Sequence, residues 1–194
     1  MSLERIRSYL AETSRAAERA AVSCGDEIQA AATAIVDSLR TDGKILFCGN
    51  GGSAGDAQHL ATEFVSTLTL ERTRPAIAAL ALTTDTSLLT AIANDFGFEE
   101  VFARQVEALG RRGDVLVGIS TSGNSRNVVR AFQQAGVQRL TTIALTGEGG
   151  GALAPVADVA IRVPSAETAH IQELHIAIGQ LIAFLVEDVL HPRT

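Results

Sequence analysis

Two short stretches carry residues suited to holding an anion. Cys48 to His59 reads CGNGGSAGDAQH, and Gly118 to Asn127 reads GISTSGNSRN. Glycines let the backbone approach a ligand closely, and a helix N-terminus aims free N–H groups at it. Ser53, Ser120, Thr121, Ser122 and Ser125 add neutral hydroxyl donors with no acid beside them. Two such oxyanion cradles in one small chain point to a phosphorylated small molecule. A dinucleotide fingerprint does not fit. Aligned at Gly49, G-x-G-x-x-G requires glycine at position 54, which is Ala54, and no acid ends the next apolar run to hold a ribose. No GK[ST] follows either, so NAD and ATP are not expected.

His59 and Glu63 stand four residues apart on the helix expected after the first cradle, and so share one face. That spacing suits a metal pair or a hydrogen-bonded acid–base pair. Asp56 lies one turn before His59, where it is expected to orient the imidazole. A second polar set, Gln172, Glu173, His175 and Gln180, sits on an otherwise apolar C-terminal helix and asks for partners. At 100° per residue, His175 lies about 60° to one side of Gln172 and Gln180 about 80° to the other, with about 12 Å of axis between the glutamines. One metal is reached by both only through extended side chains. Asn94 and Asp95, ahead of Gly97, read as a helix C-cap and turn.

These groups need a scaffold. Residues 3–22 and 26–41 have helical periodicity, with Gly25 and Asp26 as break and N-cap. Five apolar runs then read as buried strands: Lys44 to Gly49, Ala76 to Leu82, Asp114 to Ser120, Leu140 to Thr146 and Val159 to Val163. Helices are expected between them, from about Ser53 to Leu68, from Asp85 or Thr86, and from Asn124 or Ser125. A last helix is expected from about Ala166 to Leu190, apolar on most of its circumference and buried against its own domain or a partner. Alternating strands and helices make a parallel sheet covered on both faces, with binding at the carboxyl ends of the strands, where both cradles fall. The Gly147 to Gly151 run reads as a loop only.

The chain has 194 residues, 46% of them hydrophobic, with a mean hydropathy of +0.21, which suits one well-packed domain. No apolar run reaches eighteen residues, so no membrane span is expected. The charged, amphipathic N-terminus is no secretory signal, and the isolated Cys24 and Cys48 read as reduced thiols in a cytoplasmic protein. The net charge is −6 and Lys44 is the single lysine, so direct nucleic-acid binding, which needs clustered cations, is not expected.

Taken in order, the N-terminal helices, CGNGGSAGDAQH, TAIANDFGFEEVFARQVEALG, GDVLVGISTSGNSRNV, ALTGEGGG, IRVPS and IQELH resemble the sugar isomerase (SIS) domain family. Within it they are most similar to the sedoheptulose 7-phosphate isomerases. The resemblance runs over nearly the whole chain. It implies an α/β fold, a flavodoxin-like three-layer αβα sandwich with a five-stranded parallel sheet. Residues 1–42 would be a helical extension packing on the core or a partner subunit, and 43–194 the SIS domain. It further implies a cytoplasmic homotetramer with active sites between subunits. The implied reaction interconverts D-sedoheptulose 7-phosphate and D-glycero-D-manno-heptose 7-phosphate, the entry to bacterial lipopolysaccharide heptoses.

Residue by residue, the resemblance implies phosphate binding at Ser120, Thr121, Ser122 and Ser125, with Ser53 nearby. Sugar contacts fall on Asn50, Gly51, Gly52, Asn94 and Asp95, with Gln172 among the substrate contacts. Zinc, one ion per subunit, falls on His59, Glu63 and Gln172, and Glu63 is the proton-transfer group. One departure matters. The family's last metal ligand and second acid–base group is a histidine eight residues after the glutamine, and here that position is Gln180. As its occupant, Gln180 joins the metal and catalytic sets, but an amide oxygen ligates weakly and shuttles no proton. Weak zinc binding is therefore expected. The chain is also similar, through GNSR and AIAND, to a non-catalytic SIS module that associates with the replication initiator DnaA. Glu63, His59 and the full STSGNS loop favour the isomerase; Gln180 favours the module.

Overall fold

The computed structural model describes residues 2–69 and 73–192. Residues 1, 70–72, 193 and 194, parts of the expected 1–42 and 43–194 units, lie outside the described residues. Helices α1 (Leu3–Ser23) and α2 (Gly25–Leu39) lead into strand β1 (Ile45–Gly49) and helix α3 (Gly52–Val65). Then follow β2 (Ala79–Ala81), α4 (Thr86–Phe96), a 3₁₀ turn (Phe98–Glu100) and α5 (Ala103–Leu109). The chain continues through β3 (Val115–Ile119), α6 (Arg126–Gln138), β4 (Thr141–Gly147), β5 (Val159–Val163) and α7 (Thr168–Leu190).

The five strands form one parallel sheet in the order β2-β1-β3-β4-β5. Successive side chains of a strand point to opposite faces, and the central strands bury both sets. Ile45, Phe47, Val115, Val117, Ile119, Ile143 and Leu145 pack beneath α1, α2, α3 and α7. Leu46, Cys48, Leu116 and Ala144 pack against α4, α5 and α6 on the other side. This is the expected three-layer sandwich. The sheet order reverses direction between β1 and β3, and the crevice at such a switch point is where open α/β sheets take ligands. Gly49 and Ile119 pair in register there, so both cradles leave the sheet side by side.

Several local expectations change. The run Ala76 to Leu82 yields only three paired residues, at one edge of the sheet. Ile77 N–H turns to Phe64 O at 3.1 Å, and Leu80 is exposed. Helix α3 stops at Val65, short of Leu68; its N-cap residue is Gly51, and Ser53 is buried in the first turn. Gly25 and Asp26 are helical, Cys24 being the break. Asp85 does cap α4, accepting from Leu88 N–H at 3.0 Å. Helix α5 went unforeseen; seven residues are too few for periodicity to declare itself. Helix α7 buries Ile171, Leu174, Ile178, Ile182 and Val186, while Leu181, Phe184 and Val189 stay exposed on its other side. Among the described residues no helix is long and apolar enough to cross a membrane.

Candidate active site

The second cradle is held mainly by backbone. Ser120 N–H continues the sheet pairing to Leu145 O at 3.0 Å, and Gly123 N–H closes a turn onto Ser120 O at 2.9 Å. Ser120 Oγ and Ser125 Oγ are 3.0 Å apart, and Ser122 Oγ accepts from Asn124 N–H at 3.1 Å. Ser125 is the N-cap residue of α6, whose first turn has no acidic residue, so its free N–H groups and dipole favour an anion. The loop after β4 backs this turn. Gly147 N–H donates to Thr121 O, Leu153 N–H to Gly123 O and Ala152 N–H to Asn124 Oδ1, each at about 3 Å. Gly123 has φ 67° and Gly151 φ 56°, and a Cβ on Gly123 would stand 2.1 Å from Gly150 O. No side chain fits between the two backbones. The glycine run expected to be only a loop is thus the support of the cradle.

The first cradle is tied to the second by a pair of amides. Asn50 Nδ2 donates to Asn127 Oδ1 and Asn127 Nδ2 to Asn50 Oδ1, both at 2.8 Å, across the switch point. Asn127 is buried in the first turn of α6, so the pair locks the starts of the two loops together. Gln172 of α7 lies directly on Gly52, where a Cβ would come within 1.9 Å of its Nε2.

Further along α3, His59, Glu63 and Gln180 gather in the groove with α7. His59 Nε2 is 2.8 Å from Glu63 Oε1, and Gln180 Nε2 is 3.2 Å from that oxygen and 3.3 Å from His59 Nε2. The shortest contact places a proton on His59 Nε2, so the Gln180 amide N–H is directed at the carboxylate. Both contacts fall on Oε1, and Oε2 of this mostly buried side chain has no hydrogen bond among the described residues. The other polar residues of α7 find partners elsewhere. Glu173 accepts from Tyr9 Oη at 2.5 Å and from Thr13 Oγ1 at 2.9 Å, fastening α1 to α7. His175 is fully buried and donates from Nε2 to Thr146 O at 3.1 Å; burial pushes its pKa down to about 4.

Asp56 does not orient His59 as expected. Its Oδ2 is buried without a partner, and desolvation raises its pKa against the smaller opposing pull of His59. Asn94 and Asp95 sit exposed in the last turn of α4, with Asn94 Nδ2 donating to Asp95 Oδ1 at 2.8 Å, ahead of the Gly97 C-cap. Neither side chain is hydrogen-bonded to a cradle among the described residues. Among the described residues no three His, Cys, Asp or Glu side chains gather to hold a metal ion. His59 and Glu63 are nonetheless ordinary zinc donors on one helix face, and the Gln180 amide already reaches both. The set would take zinc with the Gln180 amide turned to present Oε1, since it is Nε2 that reaches His59 and Glu63 here.

A model of the SIS domain matches residues 8–147. The chain belongs to the SIS domain family. A phosphoheptose isomerase of Akkermansia muciniphila is 54% identical to this SIS protein over 173 residues, covering 89% of this chain and 90% of the relative. That of Solidesulfovibrio magneticus is 52% identical, covering 97% and 91%. The structure of phosphoheptose isomerase GmhA from Neisseria gonorrhoeae superimposes on this SIS fold with a TM-score of 0.90 at 47% identity, covering 95% of this chain and 98% of that one. The SIS match begins within α1, so the helical extension shares in the family pattern.

Proposed function

We infer that this chain is a phosphoheptose isomerase. It interconverts D-sedoheptulose 7-phosphate and D-glycero-D-manno-heptose 7-phosphate by moving a proton between C1 and C2. The observation that carries this beyond kinship is the Glu63 carboxylate, held at Oε1 by His59 and Gln180 with Oε2 free for substrate. Aldose–ketose isomerisation passes through an enediol and needs a base at that carbon pair. Glu63 Oε2 takes the proton from C2 of the aldose as O1 gains one to give the enediol, then returns its proton to C1 as O2 gives up its own, so that the carbonyl moves from C1 to C2. Gln180 steadies the carboxylate by donating an N–H and carries no proton itself. The cradle of Ser120, Thr121, Ser122 and Ser125 binds the phosphate, several carbons from the reacting pair, and so fixes the reacting end.

We further propose one zinc ion per subunit, held by His59, Glu63 and the Gln180 amide; Gln172, seated on Gly52 about 12 Å back along α7, stands apart from that set in this chain. When bound, such an ion polarises the carbonyl and hydroxyl oxygens of the sugar. A cytoplasmic homotetramer with sites between subunits is proposed as well. The exposed Leu3, Ile6 and Leu10 of α1 and Phe96 and Phe98 around the end of α4 offer apolar surface for such an assembly. The test is conversion of sedoheptulose 7-phosphate by the purified protein, with and without added zinc, followed by NMR at the anomeric proton. Conversion is expected in both, faster with zinc; binding of the sugar phosphate without conversion would favour a non-catalytic module.

A further inference from the structure

The last turn of α3 carries Glu63, and its carbonyls have no partners further along the helix. The turn has no basic side chain of its own. Arg74 supplies the donors from outside. Its Nη2 donates to Glu63 O at 2.6 Å, and its Nη1 to Phe64 O at 2.8 Å and Pro75 O at 3.0 Å. Its Nε donates to Glu187 Oε1 of α7, and the two side chains are 0% and 1% exposed. A guanidinium sealed from water in this way requires a counter-charge. Glu187 follows Gln180 by seven residues, two turns along nearly the same face of α7. One guanidinium therefore grips the backbone of the residue that carries the carboxylate, and is itself gripped by the helix that carries the amide.

We propose that Arg74 and Glu187 are positioning residues, their buried pair fixing the Glu63 carboxylate against Gln180 across the α3–α7 groove. The proposal rests on Glu63 being the proton-transfer group. Neither residue touches substrate. Their effect passes through the Glu63 carbonyl, so it falls on the chemical step and spares binding at the cradle.

The experiment measures kcat, KM for sedoheptulose 7-phosphate and the thermal midpoint of four variants. These are Arg74→Lys, Glu187→Gln, the double variant Arg74→Met with Glu187→Leu, and Glu63→Gln as reference. The double variant replaces the buried pair by apolar side chains of similar length and is expected to keep the fold. Its kcat is expected to fall about 100-fold, the effect of a misplacement on the order of 1 Å, with KM within about threefold of the starting protein. Arg74→Lys keeps the charge but not the fork onto Glu63 O and Phe64 O, and is expected to lose kcat similarly. A folded double variant with full kcat would overturn the proposal. So would a kcat that recovers in step with the thermal midpoint across the set, the mark of a merely structural pair. Should the Arg74 variants fail to fold, Glu187→Gln, which keeps length and an acceptor oxygen, decides by the same readings. Full turnover in Glu63→Gln would overturn the proton-transfer assignment and the clamp together. A dead Glu63→Gln beside a fully active double variant overturns the clamp alone.

Discussion

The loop proposed to cradle the phosphate and the α3–α7 groove are built in opposite ways. The cradle is backbone laid on backbone. Gly123 and Gly151 pass each other with no room for a side chain, and the loop after β4 donates its N–H groups into the turn. The groove is side chain on side chain. One carboxylate, one imidazole and one amide meet within 3.3 Å between two helices whose spacing depends on packing and a buried ion pair. A binding pocket for an invariant dianion is well served by a rigid frame that tolerates changes in hydroxyls. A proton-transfer centre depends on single atoms, and one substitution there changes the chemistry.

The contrast breaks most sharply at Glu63. Glu63→Gln is expected to lower turnover by about 10²–10⁴-fold, the usual share of a general acid–base group, while leaving sugar-phosphate affinity by calorimetry near its starting value. In the cradle the largest effect belongs to backbone. Gly123→Ala meets both a positive φ, worth roughly 1–3 kcal/mol of strain, and the Gly150 carbonyl. It is expected to lose sugar-phosphate binding and thermal stability together. Ser122→Ala removes one hydroxyl and is expected to weaken binding by about 1.5–3 kcal/mol with stability kept. An equal loss in the two cradle variants would mean that hydroxyls, not the frame, hold the anion.

His175 links the two regions, since it lies on α7 and donates to Thr146 at the end of β4. Burial depresses its pKa from 6.5 to about 4, so the folded state holds it neutral. The unfolded chain then binds the extra proton between those values, and stability falls as pH drops through that window. About 3 kcal/mol is expected to be lost between pH 6.5 and 4. Urea unfolding across this range checks it, with His175→Gln expected to flatten the acid limb. The smallest expected change is at Gln180. Gln180→His should tighten zinc and raise turnover modestly by supplying an imidazole ligand, read by metal titration and kcat in parallel; no change in either would place Gln180 outside the metal set.

The cradle was legible in the sequence because its information is local. Glycines and hydroxyls between an apolar run and a helix start say what the loop does, and the strand alternation says where it sits. What supports the cradle was not legible. The Gly147 to Gly151 run has no side chains to declare a partner, and the Asn50–Asn127 pair joins residues 77 apart. In the groove the i,i+4 spacing of His59 and Glu63 foretold their contact, and Gln180 was placed beside them by resemblance alone. Asp56 misled because a residue one turn from another shares its face without facing it. The edge strand misled because an apolar run reads the same whether one neighbour or two pair with it. Arg74 gave no signal at all: an arginine in a loop ahead of Pro75 is ordinary until the fold seals it beneath α3.

The central claim is that Glu63 carries a proton between two carbons of a phosphorylated sugar. Its most direct test is solvent exchange: sedoheptulose 7-phosphate in D₂O with the intact protein and with Glu63→Gln, followed by proton NMR. The intact protein should form the aldose and place deuterium at its C2 and at C1 of the recovered ketose, while Glu63→Gln, still binding the sugar phosphate, should do neither. Deuterium entering at the same rate with Glu63→Gln, or no exchange by the intact protein despite binding, would contradict it.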